Sequence, residues 1–115
     1  MRRIIILGFI LFSGQVAFCQ EFLQVTTIES VVPGGLGRSR MITQSPSGEL
    51  EEIKMENFYS MVGINFQNIR TNDKQITEKI TELAKQGWKL QFVTSGVESS
   101  DSKAGIFITR YLFSE

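Results

Sequence analysis

The sequence contains no histidine and a single cysteine, Cys19, among its 115 residues. Cys19 lies in a leader that is expected to be removed, which leaves a working chain with neither imidazole nor thiol. That excludes Cys nucleophiles, disulfides, His general bases, Ser-His-Asp triads and the common zinc sites, each of which needs one of those side chains. An excess of either charge is also missing, since twelve Lys and Arg balance twelve Asp and Glu. With the leader go Arg2 and Arg3, leaving ten cations against twelve carboxylates, a net charge of −2. Nucleic acid calls for a clearly basic surface and is not an expected partner. No apolar run reaches the ~20 residues that cross a bilayer, so no retained transmembrane anchor is expected. Proline occurs only as Pro33 and Pro46, each inside a cluster of turn-forming residues.

What is present begins with that leader. Met1-Arg2-Arg3 supplies positive charge, and Ile4 to Phe12 is apolar but for Gly8. Ser13-Gly14-Gln15 then breaks the run. Ala17 and Cys19 are small residues at the −3 and −1 positions of a signal-peptidase cut before Gln20. Residues 1–19 therefore read as a signal peptide and 20–115 as a single domain of about the size that supports one modest core. The expected location is the Gram-negative periplasm or the exterior. Phe18 stands where lipoprotein processing accepts a small residue, so acylation of Cys19 is not expected. An exported domain without disulfides is held together by packing alone.

Residues 22–30 are rich in β-branched and aromatic types and predict a strand. Val31 to Gly37 is a breaker cluster, Arg38 to Gln44 predicts a second strand, and Ser45-Pro46-Ser47-Gly48 a turn. Glu49 to Met55 alternates as a half-exposed strand does, although Leu50, Ile53 and Met61 also suit one helical face. Asn57 to Gly63 reads as an irregular connection and Ile64 to Ile69 as a short strand. From a cap at Thr71 or Asn72, Ile76, Ile80, Leu83 and Ala84 form one apolar stripe that predicts an amphipathic helix. Gly87 is placed to stop it. Beyond Gly87 the period changes to two, with Trp88, Leu90 and Phe92 on one side of a strand. Glu98 to Lys103 reads as a polar turn. The strand from Ile106 to Phe113 carries Phe107, Tyr111 and Phe113 on one face and Ile106, Ile108 and Leu112 on the other. Apolar residues on both faces indicate a central place in the sheet, or an outer face covered by a partner. The expected fold is α+β, a mainly antiparallel sheet of four to five strands with one helix packed on one face.

The helix leading into Gln86-Gly87-Trp88-Lys89-Leu90, followed by a hairpin that closes with Arg110-Tyr111-Leu112-Phe113, resembles the small bacterial domain-of-unknown-function family 4177. The resemblance covers about residues 64–113 and does not extend to Pro33-Gly34-Gly35 or Arg38-Ser39-Arg40. It implies a fold and carries no activity, cofactor or site.

Of the candidate sites, Gly34, Gly35, Gly37, Arg38 and Arg40 are the sharpest. Backbone amides of a Gly-rich turn and two nearby guanidinium groups suit a phosphate, a carboxylate or an acidic partner. The segment is neither a P-loop nor a dinucleotide fingerprint, and glycines serve turns more often than ligands. Glu49, Glu51, Glu52 and Glu56 form an acidic cluster without the spacing of a calcium loop, as on a solvated surface. Trp88, Phe92, Tyr111 and Phe113 suit the core beneath the helix, with a ligand pocket as the alternative. Lys54, Lys79 and Lys89 read as exposed, and no nucleophile–base pair is visible. No cofactor and no metal is expected. These features point to a non-catalytic binding module of the cell envelope, for another protein or a small anionic ligand. The alternatives are a homo-oligomer built through the sheet and an enzyme using carboxylate, Lys or Tyr groups.

Overall fold

The computed structural model describes residues 20–32, 38–60, 63–101 and 104–115. The leader expected at 1–19 lies outside them. Strict alternation along β1 (Phe22–Val31) sends Leu23, Val25 and Thr27 inward, and all three are buried. β2 (Arg40–Gln44) pairs antiparallel with it, and β3 (Leu50–Lys54) follows through a turn at Ser45–Gly48. Gly48 closes that turn at φ +88, a conformation that glycine adopts without a Cβ clash. The stretch between Glu49 and Met55 is thus a strand. Where an irregular connection is expected from Asn57 to Gly63, β4 (Tyr59–Ser60) and β5 (Gly63–Ile64) form a two-stranded ladder.

The helix α1 (Phe66–Lys85) starts five residues before Thr71, and the strand expected at Ile64 to Ile69 is confined to Ile64. The cap is Asn65, whose Oδ1 accepts from the Asn68 amide at 3.2 Å. This satisfies one orphan donor of the first turn. At the far end the Trp88 amide donates to the Leu83 carbonyl at 3.0 Å and the Gly87 amide to Ala84 at 3.1 Å. That double bond pattern, with Gly87 at φ +94, is a Schellman stop. It carries Trp88 back over Leu83 and starts the next strand.

β6 (Lys89–Asp101) and β7 (Ala104–Ser114) pair as a long antiparallel ribbon, and β6 runs on to Asp101 through most of the stretch expected to be a polar turn at 98–103. β7 inserts beside β1, so the sheet order is β3-β2-β1-β7-β6, antiparallel throughout. The fold is α+β, with one helix on one face of a five-stranded sheet. Paired residues share a face, so Leu23, Val25, Met41, Ile53, Tyr111 and Phe113 all point toward α1. Leu23, Val25, Met41 and Phe113 make the core with Met55 and Leu83, and Ile53, Ile76, Ile80, Trp88 and Tyr111 pack against it, partly buried. Each fully buried apolar side chain there stabilises by roughly 1.5–3 kcal/mol relative to exposure. Trp88 is a half-buried member at the margin of the core, and Ala84 of the expected stripe is exposed.

A polar seam closes the far end of β1, beyond the reach of β2. The Ser30 amide donates to Ser39 Oγ at 2.8 Å, and Ser30 Oγ donates to Asn57 Oδ1 at 3.1 Å. Asn57 also accepts from the Val32 amide and donates to the Val32 and Tyr59 carbonyls. Such partners offset the desolvation cost of buried side-chain amides and hydroxyls.

Candidate functional site

Arg40, on β2, is paired with Glu52 across the β2–β3 ladder, so its charge is already answered within the chain. Arg38 is exposed just before β2. Gly34, Gly35 and Gly37 lie outside the described residues. The acidic cluster does not converge. Glu52 serves Arg40, while Glu51 turns to the opposite face and accepts from Lys79 Nζ at 3.2 Å. Glu49 and Glu56 are exposed. Among the described residues no three acidic, His or Cys side chains gather as metal ligands do.

Lys79 departs from the exposed placement expected of it: only 5% of the residue reaches solvent. Its stem lies between α1 and the sheet, and its ammonium meets Glu51 and, at 3.3 Å, Glu82. A buried cation needs such carboxylates. One is supplied from β3, a partner that no local pattern along the helix displays.

Two ionisable groups on the helix face have shifted proton affinities. Burial raises the pKa of the Glu29 carboxyl above its ordinary range; the Asn72 amide partly offsets this and the nearby Asp73 charge adds to it. Burial also raises Tyr111, helped by Glu29 and Asp73. Asn72 is itself fully buried. It bridges β1 to the chain after β3 by donating to Glu29 at 3.3 Å and to the Glu56 carbonyl at 2.8 Å. Its Oδ1 also accepts from the Glu56 amide at 2.8 Å. Neither shifted group borders the depression of about 270 Å³ formed by Thr43, Ser45, Glu49, Leu50 and Glu51. A larger depression of about 590 Å³ along α1 is bordered by Asp73, whose charge acts on both groups, but by neither group itself. Among the described residues, shifted pKa values and concavity, which coincide in an active site, do not meet.

The expected aromatic set divides. Phe113 is 1% exposed in the core, whereas Phe92 is 69% exposed. The cause is a β-bulge at Gln91, where Leu90 pairs with Phe113 but Phe92 pairs with Leu112. One extra residue reverses the alternation, so Leu90 and Phe92 leave on opposite faces instead of one. Gln91 Nε2 anchors the bulge by donating to Ser114 Oγ at 2.7 Å.

The consequence is a strand that is apolar on both sides and, among the described residues, has no strand along its outer edge. Val93 and Val97 face the helix side, past the reach of α1, at 50% and 65% exposure. Phe92 faces the other side with Leu112, Ile108 and Ile106 of β7. From Leu90 to Val97 there is no charged residue. The other edge of the sheet contrasts with it. β3 has five residues and carries Glu51, Glu52 and Lys54, and Gln75 of α1 donates to the Lys54 carbonyl. Short, charged, capped edges resist strand addition, and long apolar ones invite it. β6 is thus the long, apolar open edge of the described sheet. Sequence reasoning found the apolar outer face of β7 but missed the β6 edge, because edge status depends on the order of strands across the sheet.

The chain matches no protein-family model, no curated protein and no solved structure.

Proposed function

We propose that the protein is an exported, non-catalytic interaction module that binds a second polypeptide along β6. The observation that carries this reading is the β6 edge, which no other described strand joins, which is uncharged from Leu90 to Val97 and which exposes apolar side chains on both faces. Strand addition takes affinity from main-chain hydrogen bonds and selectivity from alternate side chains. β6 offers both, with Phe92 on one face and Val93 and Val97 on the other. Export is supported by Arg2, Arg3, the apolar run from Ile4 to Phe12, and the small residues Ala17 and Cys19. The resemblance to family 4177 adds no activity to this reading.

The test is a photo-crosslinking amino acid placed at position 92 in a Gram-negative cell producing the protein with its leader. Polypeptide adducts are expected from position 92 and not from position 78, on the outer side of α1. Equal yields at both positions, or none, would overturn the reading. The mass of the purified protein tests export separately: a chain starting at unmodified Gln20 is expected.

A further inference from the structure

We propose that the polypeptide seated on β6 is β6 of a second copy, paired antiparallel about a two-fold axis at Ser95. The inference rests on β6 being the contact strand and goes beyond it by naming the occupant and the register. The register follows from the bulges. Irregularities between Leu90 and Phe92 and between Ser99 and Asp101 bound one regular ladder, Phe92 to Ser99. Within it Val93, Ser95 and Val97 share the helix side, and Phe92, Thr94, Gly96 and Glu98 share the other. Antiparallel partners must lie on the same face, so two copies can meet only in registers centred on a residue.

Centring on Ser95 sets Val93 against Val97 of the second copy, twice by symmetry, and Thr94 against Gly96. Both exposed valines are then covered. Phe92 lies diagonal to the glycine of the other copy, where an aromatic ring fills the place of the missing side chain. Centring on Thr94 instead leaves Val97 facing the bulge at Gln91. Centring on Gly96 pairs each valine with a serine and pushes Phe92 off the ladder.

Charge selects the same arrangement. Lys89 is the next residue on the face of Phe92, and Glu98 stands at the other end of the ladder. Both are exposed, and neither makes an ion pair among the described residues. In the Ser95 register Glu98 of one copy opposes Phe92 of the other. Lys89 is then a diagonal neighbour, about 7–8 Å away and within reach of a long side chain. Two such contacts form. A parallel alignment would set Lys89 against Lys89 and Glu98 against Glu98. Because the same surface serves both copies, the contact closes as a dimer, whereas joining β6 to β3 would propagate as an open fibre. The two five-stranded sheets become one.

The experiment uses the protein as the producing cell processes it. Light scattering at tens of micromolar should give the mass of two chains. Val93→Lys/Val97→Lys and Val93→Glu/Val97→Glu should each be monomeric with unchanged circular dichroism, and an equimolar mixture should recover the dimer. Ser95→Cys, at the axis, should form an interchain disulfide at least tenfold faster than Glu52→Cys on the far edge, since directly opposed strand residues meet disulfide geometry. A monomeric native protein, a dimer that survives both charge variants, or charge variants that fail to recombine would overturn the proposal. A monomer whose position 92 still crosslinks to a different polypeptide removes the second copy and leaves β6 as the contact strand. Absence of both removes both.

Discussion

The two sides of this sheet are made of similar residues and behave oppositely. Around β1 and β2, apolar side chains alternate with polar ones, α1 lies over the apolar face, and Leu23, Val25 and Met41 are buried. In the β6–β7 ribbon the same residue types, Leu90, Phe92, Val93 and Val97, stand in water. β7 belongs to both: Phe113 is buried at one end, and Phe107 is 38% exposed toward the other. The difference is one of coverage rather than composition. A single helix of twenty residues spans roughly 30 Å and roofs only part of a five-stranded sheet. The covered part holds the core, and the uncovered part leaves its apolar side chains exposed.

The sharpest way to break this contrast is to truncate one phenylalanine from each side. Phe113→Ala should destabilise by about 3–5 kcal/mol through loss of burial and the cavity left behind. Phe92→Ala should change the stability of the monomer by less than ~0.5 kcal/mol. Chemical denaturation of the two variants would measure this, and equal losses would erase the distinction. A smaller effect is expected where polar groups, rather than apolar ones, join the covered side. Asn72→Ala strands the Glu56 amide and carbonyl and should cost about 2 kcal/mol.

The smallest effect depends on pH. The Glu29 pKa is raised in the folded state, so the stability its neutral form contributes is full below 4.5 and is lost as pH rises through the folded value. Glu29→Gln, neutral throughout, should match the native protein in acid and exceed it near neutrality. Solvent reaches this half-buried carboxyl, so the gain should stay under about 1 kcal/mol. Thermal melts across that pH range would show it; an advantage that grew toward acid would have the wrong sign.

How much of this was legible in the sequence follows the same division. β1, β2, β3, the Gly87 stop and both faces of β7 could be read because local periodicity and turn residues determine them. The helix start was missed because polar Asn72 and Asp73 interrupt the apolar stripe; Ile69, seven residues before Ile76 on the same face, and Asn65 as a cap were the available signals. Phe92 was assigned to the wrong face because a bulge is one uncounted residue, held by Gln91 contacting Ser114 across the ribbon. Lys79 looked exposed because its partner Glu51 lies 28 residues away. The anion site expected at Gly34, Gly35 and Gly37 falls outside the described residues, and its Arg40 is taken up by Glu52. The β6 edge exists only because β7 slots in beside β1, an arrangement that nothing local encodes.

Amide hydrogen exchange followed against protein concentration tests the division most directly. Amides from Phe92 to Glu98 should gain protection as concentration rises, while those from Leu50 to Lys54 on the opposite edge stay unchanged. Protection in β6 that ignores concentration, or a gain confined to β3, would contradict the assignment of the bare ribbon as the joining surface.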